Sequence, residues 1–163
     1  EPFLFSRSIA ENISIAGEEV DMAAVREASR AACLDETVEG FTQGYDTFVG
    51  ERGVTLSGGQ KQRAAIARTL MRRQPIMIFD DSLSAVDTET DAKIRAELER
   101  RFGSASIILI SHRITTLAKA GQILVLDKGR IAERGTHDEL VAANGIYRKI
   151  YDIQTAGAEE AAK

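Results

Sequence analysis

A short glycine-containing string stands where a loop turns into a predicted helix. Its residues, in order, are Leu56, Ser57, Gly58, Gly59 and Gln60. Serine is a preferred cap of helix N-termini, and the two glycines let backbone N–H groups approach a ligand without side-chain obstruction. Because the start of a helix carries partial positive charge, the string predicts a site for a phosphate group. The alternative is an ordinary glycine-rich loop that enters a helix.

Polar residues also follow two apolar runs that read as buried strands. Asp80 and Asp81 come directly after the run 76–79, and His112 follows the run 106–111. In open parallel sheets, ligands bind at the carboxyl ends of the strands. Two polar sites therefore fall where such a fold places its chemistry.

The elements that would position these residues alternate between helix and strand. The pattern predicts a mostly helical segment 1–40, a glycine-rich loop 40–56, helices at about 57–73 and 88–101, strands at 76–79, 106–111 and 122–126, a hairpin turn at 127–130, and helices at about 137–143 and 146–153. Apolar strands that alternate with helices indicate an α/β fold, with a parallel sheet covered on both faces.

The composition is that of an ordinary globular domain. The chain has 163 residues, of which 44% are hydrophobic and 28% charged, and its net charge is -4. Such a mildly acidic chain is a poor candidate for a general nucleic-acid binder, so we expect no nucleic-acid partner. Its apolar runs fall well short of the roughly 20 residues that a membrane span needs. Because the chain begins at Glu1 without a methionine, we expect it to derive from a longer polypeptide.

The string from Leu56 to Gln60 resembles the signature motif of ABC transporter ATPases. Further motifs of that family stand in the family's order: flanking segments at Val49–Gly53 and Gln60–Arg63, a Walker B strand at Ile76–Asp80, a D-loop at Ser84–Asp87, a switch histidine loop at Ser111–Arg113, and an exporter-type C-terminal segment at Gly129–Leu140. The resemblance extends over essentially residues 1–154. It implies a P-loop NTPase-like (RecA-like) parallel sheet, here incomplete, together with the ABC helical subdomain.

The resemblance also implies a division of the chain. Residues 1–73 would form the helical subdomain with the X-loop and the signature helix. Residues 74–154 would form the C-terminal part of the RecA-like core, and residues 155–163 a frayed tail. The basic residues of the signature helix are expected to form a solvated face; they are Lys61, Arg68, Arg72 and Arg73.

Roles for the strand-end residues follow from the same resemblance. Asp80 would hold Mg²⁺, directly or through water, and His112 would contact the γ-phosphate of ATP. Asp81 stands where the family usually has the glutamate that polarises the attacking water. Aspartate is shorter by one methylene, about 1.5 Å of reach, and a misplacement of that size predicts slow or absent hydrolysis at this site. The alternative is that Asp81 only caps the following loop.

The remaining motifs imply contacts with other domains. The signature would complete the ATP site of a partner in trans, and the D-loop residues Ser84 and Asp87 would lie at that interface. Asp87 is also a candidate N-cap of the next helix, and both roles are compatible. Glu51 and Arg52 resemble the loop that touches transmembrane coupling helices; the alternative is a solvated charge pair.

Two motifs of the family are missing from the sequence. It contains no G-x-x-x-x-G-K-[ST] string, which is the Walker A loop, and no Q-loop glutamine. We therefore expect the 163 residues alone to be inactive as an ATPase. We also expect unpartnered edges on the strands at 106–111 and 122–126, which would make the segment unstable by itself.

The implied function is that of a nucleotide-binding domain of an ATP-driven exporter. Such a protein is an ATPase, uses ATP and Mg²⁺, and works at the cytoplasmic face of the cell membrane. Its partners would be transmembrane coupling helices and a second nucleotide-binding domain, identical or different, with the shortened Asp81 favouring a heterodimer. Two alternatives stay open: a non-transport ABC ATPase acting on nucleic acid or ribosomes, and a truncated, non-catalytic fragment that dimerises.

Overall fold

The computed structural model describes residues 3–15, 19–50, 55–72 and 74–161. It divides into two compact units, Glu1–Ile110 and Ser111–Lys163. The sequence motifs instead suggest a helical subdomain that ends at residue 73 and a core part that begins at residue 74. That division stays a prediction.

The first unit combines a helical cluster with one pair of parallel strands. Its elements are β1 (Arg7–Ser8), α1 (Ile9–Ser14), α2 (Met22–Ala31), α3 (Asp35–Glu39), a 3₁₀ helix (Gly44–Asp46), β2 (Phe48–Val49), α4 (Gly58–Leu70), β3 (Ile76–Asp80), α5 (Thr88–Phe102) and β4 (Ser106–Ile110). Several helices begin at capping side chains: Ser8 caps α1, Asp21 caps α2, Ser57 caps α4 and Asp87 caps α5. These caps satisfy backbone donors that would otherwise lack partners at each helix start.

One apolar core holds the first unit together. Helices α1, α2 and α4 pack on one another, and α2 also packs on α5. Ile13, Val25 and Ala67 are fully buried within this core. Met77 and Phe79 of β3 belong to it as well, so the strand is anchored to the helices through alternate residues.

Strands β3 and β4 pair in parallel, as the sequence predicts. Ile76 lies opposite Ser106 and Asp80 lies opposite Ile110. The expectation of cover on both faces is wrong for the described residues, because one face of this pair is exposed. Its apolar side chains are exposed by 47% to 60%; they are Ile76, Ile78, Ile108 and Ile110. The buried face packs on the helical core, and within the described residues no element covers the other, so the sheet is incomplete.

In the glycine-rich segment 40–56, the described residues 40–50 contain more regular structure than the sequence predicts. It contains the 3₁₀ helix and β2, which pairs antiparallel with β1. Tyr45 is buried there, and its hydroxyl donates a hydrogen bond to Asp35 Oδ1 at 2.6 Å. A buried aromatic anchor thus fixes a segment whose glycines suggested a loop.

The second unit is a hairpin with helices. It contains α6 (Ile114–Leu117), β5 (Ile123–Asp127), β6 (Arg130–Gly135), α7 (His137–Ala142) and α8 (Ile146–Ala161). β5 and β6 form the predicted hairpin, with Lys128 and Gly129 at positive φ in its turn. Ile114, Ile123, Leu140 and Tyr147 form its buried core.

Helix α8 continues to Ala161, past the predicted end near Ile153. Alanine and glutamate dominate this extension, and both are good helix formers. The fraying expected of the tail 155–163 stays a prediction.

Candidate functional site

The signature string begins α4 through a reciprocal cap. Gln60 N donates to Ser57 Oγ at 3.3 Å, and Ser57 N donates to Gln60 Oε1 at 2.9 Å. Leu56 is buried, whereas Ser57 and Gly58 are exposed. The buried Leu56 therefore holds the string against the core, and the start of the 13-residue helix α4 faces solvent. A helix start presented in this way suits an anionic ligand.

A close backbone approach places the signature beside the loop that follows β3. A Cβ at Gly59 would lie 2.8 Å from the carbonyl oxygen of Ala85, which is closer than real Cβ atoms come to such an atom. A Cβ at Gly58 would lie 3.8 Å from Ala85 Cβ, an ordinary contact. Only the second glycine is therefore required by packing.

Gln62 joins the same two segments through its side-chain amide. Its Nε2 donates to Ser84 Oγ at 2.9 Å and to the Asp81 carbonyl at 3.3 Å, and its Oε1 accepts from Ala85 N at 2.8 Å. The side chain is buried, with only 8% of the residue exposed. The signature helix thus holds the backbone that runs from the Walker B carboxylates into the D-loop.

Asp80 and Asp81 lie at the carboxyl end of β3 and are exposed. Asp81 adopts φ +45, in the left-handed region, and its N–H donates to the Ile110 carbonyl at 2.9 Å. Aspartate tolerates this conformation better than most side chains do. Ser84 Oγ donates to the Asp81 carbonyl at 2.9 Å, so the Asp81 backbone is fixed from both β4 and the D-loop.

The predicted cap at Asp87 is present. Thr90 N donates to Asp87 Oδ1 at 2.9 Å at the start of α5. This hydrogen bond is the main cause that lowers the pKa of the Asp87 carboxyl. The capping role is therefore observed, whereas the interface role expected for Ser84 and Asp87 stays a prediction.

In the second unit, His112 is exposed. One residue, the N-cap Arg113, separates it from the start of α6 at Ile114. Gln154 of α8 donates from Nε2 to the His112 carbonyl at 2.6 Å and accepts at Oε1 from Ile114 N at 2.9 Å. Ser111 Oγ accepts from Arg113 N at 3.0 Å. The backbone on both sides of His112 is thus held by side chains.

Glu51 and Arg52 lie outside the described residues. The segment that leads to them is pinned, because Val49 pairs with Arg7 and a Cβ at Gly50 would lie 2.6 Å from Ser6 Oγ. Gly50 also has φ +121, which glycine adopts readily.

Arg68, which was expected on the solvated face of α4, instead makes hydrogen bonds to distant backbone carbonyls. Arg68 Nε donates to the Asn12 carbonyl at 2.8 Å, and its Nη1 donates to the Phe3 carbonyl at 3.1 Å. Asn12 is itself 1% exposed and exchanges hydrogen bonds with the Phe5 backbone. The prediction of a solvated face is therefore wrong for Arg68, since the guanidinium holds the segment before β1 against α4.

Two glutamines that hold the site, Gln62 and Gln154, were not predicted, although their spacing in the sequence carried a signal. Gln62, Ile66 and Leu70 recur at helical spacing on the buried side of α4. Tyr147, Tyr151 and Gln154 recur in the same way on α8. A polar residue on an apolar stripe is expected to have hydrogen-bond partners, because burial without them is costly.

The described residues contain no group of three or more His, Cys, Asp or Glu side chains able to hold a metal ion. Asp80 and Asp81 nevertheless offer the oxygen donors that Mg²⁺ prefers, and this ion commonly completes its shell with waters and substrate phosphates. Within the described residues, no helix has the length and apolar character to cross a membrane.

A helix start beside strand-end carboxylates is an arrangement by which α/β folds bind anionic ligands such as phosphate groups. The family model described as ABC transporter matches residues 1–84. The chain therefore belongs to the ABC transporter family, as the sequence predicts, and corresponds to the C-terminal part of its nucleotide-binding domain.

Named relatives extend this likeness over the rest of the chain. The chain is 44% identical over 156 residues to the ATP-dependent lipid A-core flippase of Cupriavidus pinatubonensis, covering 94% of this chain and 26% of the flippase. It is 46% identical over 154 residues to the ABC transporter ATP-binding protein YknU of Bacillus subtilis, covering 94% of this chain and 26% of YknU. The chain thus spans about a quarter of the length of these relatives.

A solved structure shows the same fold. The structure of a bacterial Atm1-family ABC exporter with ATP bound has a TM-score of 0.87 and 41% sequence identity. The match covers 93% of this chain and 26% of that one. The fold is therefore that of an ABC nucleotide-binding domain, a P-loop NTPase, as predicted.

Proposed function

We propose that this chain is part of an ATP-driven exporter and that its signature string completes the ATP site of a second nucleotide-binding domain. The observation that carries the proposal is the exposed, capped start of α4, held on a buried Leu56. Two exposed residues at a helix N-terminus leave backbone N–H groups available to phosphate oxygens from another domain. Similarity to exporters and to a lipid A-core flippase supports the transport role.

The site on this chain's own Walker B strand is proposed to turn over slowly. Asp80 would hold Mg²⁺ together with ATP phosphates and water, and Asp81 and His112 would orient the attacking water. The shorter carboxylate of Asp81 leaves that water about 1.5 Å further from its base, so hydrolysis is slow. Such asymmetry favours a different rather than an identical partner domain.

The partners and location of the protein follow from the exporter proposal. Residues Glu51 and Arg52 would contact coupling helices of a transmembrane domain at the cytoplasmic face of the membrane. The apolar rings of Phe3, Phe5 and Phe48 are exposed by 69%, 41% and 44%, respectively. β1 and β2 bring the segments that carry these rings together, which supports a docking surface for an apolar partner beside that loop.

The test is a pair of substitutions at Asp81 in the natural polypeptide that carries this chain, purified in lipid. Asp81→Glu restores the missing reach and should raise ATP turnover by about tenfold to a hundredfold. Asp81→Asn should remove the remaining turnover at this chain's own site. Asp46→Glu, which adds the same methylene at an exposed position outside the motifs, is the matched control and should change nothing.

Unchanged or lower turnover in Asp81→Glu, with the protein folded, would contradict the slow-site proposal. The isolated 163-residue chain serves as a blank, because it contains no Walker A string and should not hydrolyse ATP. Stimulation of the natural polypeptide by ribosomes or nucleic acid, rather than by lipid or exported substrate, would favour a non-transport ABC ATPase.

A further inference from the structure

Helix α6 depends on a residue from another helix for its first backbone donor. Among the described residues, its N-cap Arg113 supplies no capping side-chain hydrogen bond. The N–H of Ile114, the first helical residue, instead donates to Gln154 Oε1 at 2.9 Å. Satisfying a donor at the start of a helix stabilises that start.

The same amide group reaches back across the switch histidine. Gln154 Nε2 donates to the carbonyl of His112 at 2.6 Å. One planar side chain therefore bridges an acceptor at residue 112 and a donor at residue 114. An amide that uses both ends fixes two backbone groups relative to each other, which a single hydrogen bond does not do.

Gln154 is itself held in place by the packing of α8. The start of that helix is tied to β6, because Tyr147 N donates to Glu133 Oε2 at 3.0 Å. Tyr147 is 2% exposed, and Tyr151 packs against the same core. Gln154 continues this stripe at helical spacing and is itself partly buried. Its amide is therefore placed against the loop by the side of α8 that packs on the core.

We propose that Gln154 is a positioning residue, which holds the switch loop and thereby the His112 side chain where it acts on bound nucleotide. The effect on catalysis rests on the proposed function, in which His112 acts on bound nucleotide. Helix α8 thus contributes to catalysis without contacting the nucleotide, because Gln154 holds the backbone of His112, and His112 contacts the nucleotide.

The test compares Gln154→Leu and Gln154→Glu with Asp152→Asn in the natural polypeptide. Leucine removes both hydrogen bonds, whereas glutamate keeps the acceptor for Ile114 N and loses the donor to His112. Asp152→Asn alters a neighbouring surface pair with Arg148 on the same helix and is the control.

Two readouts decide the outcome. Amide exchange at Ile114 should quicken by about tenfold in Gln154→Leu, and little in Gln154→Glu or the control. ATP turnover at this chain's own site in Gln154→Leu should fall by about tenfold to a hundredfold with little change in KM. In a His112→Ala background, the same substitution should cause no further loss, because Gln154 acts through His112.

An equal further loss in the His112→Ala background would overturn the inference, since Gln154 would then act through overall stability. Unchanged exchange at Ile114 would overturn it as well. If the unsubstituted protein shows no His112-dependent hydrolysis, the proposed role of His112 at this chain's own site fails, while exchange at Ile114 still decides whether Gln154 holds the loop.

Discussion

The contact between the signature helix and the D-loop makes the two signature glycines unequal. A methyl group at Gly59 would lie 2.8 Å from the carbonyl oxygen of Ala85. Ordinary contact begins at 3.4 Å, so the two segments would have to separate by 0.6 Å. A methyl group at Gly58 would meet Ala85 Cβ at 3.8 Å without any movement.

The energetic consequence of Gly59→Ala has two opposing parts. Loss of unfolded-state freedom on replacing glycine stabilises a protein by about 0.4–1 kcal/mol where the backbone allows alanine. Overpacking costs about 1–3 kcal/mol. The loop cannot yield freely, because Gln62 holds Ala85 N at 2.8 Å. Since the first part is shared, Gly59→Ala should be less stable than Gly58→Ala by about 1–3 kcal/mol.

The measurement is urea unfolding of the two variants and the unsubstituted protein, each as the natural polypeptide, followed by far-UV circular dichroism. Gly58→Ala should unfold at the same or a slightly higher urea concentration than the unsubstituted chain, and Gly59→Ala at a clearly lower one than Gly58→Ala. Equal transition midpoints for the two variants would contradict this prediction, because the close approach of Gly59 to Ala85 would then carry no cost.

Two further predictions concern hydrogen bonds of the first unit. Gln62→Leu should lower the free energy of unfolding by about 1–3 kcal/mol, because it strips Ala85 N of its acceptor; urea unfolding measures this. Burial, and next the hydrogen bond to Asp35, raises the pKa of Tyr45 to about 12. A raised pKa means that the protonated phenol stabilises the fold fully below about pH 10 and that this contribution is lost as the pH rises towards 12. Burial also raises the pKa of Tyr147. Ultraviolet titration should therefore show a tyrosine that ionises towards pH 12 and is missing from Tyr45→Phe, and an early titration of all three tyrosines would contradict the assignment.

Local sequence was sufficient for the elements that carry the site. The cap at Ser57, the strand ending at Asp80 and the cap at Asp87 are present as predicted. Each depends on neighbours within about one helical turn or on an apolar run, so the residues themselves specify it. The order of the motifs likewise identified the family without any tertiary information.

Local reasoning failed where a residue's partner lies far along the chain. Arg68 was expected in solvent, but its partner Asn12 is separated from it by 56 residues. The segment 40–56 read as a loop because its glycines are visible in the sequence, whereas the burial of Tyr45 is not. The exposed face of β3 and β4 was also unexpected, since an apolar run does not say how many of its sides are covered.

The residues that could do chemistry are visible in the sequence: the capped glycine string, the paired carboxylates and the histidine after a strand. How these residues are held in place follows from the folded backbone. Gln62 binds the signature helix to the D-loop, and Gln154 binds α8 to the loop of His112. The first hydrogen bond joins residues that are 23 positions apart in the sequence, and the second joins residues that are 42 positions apart. Only the folded backbone brings such partners within reach.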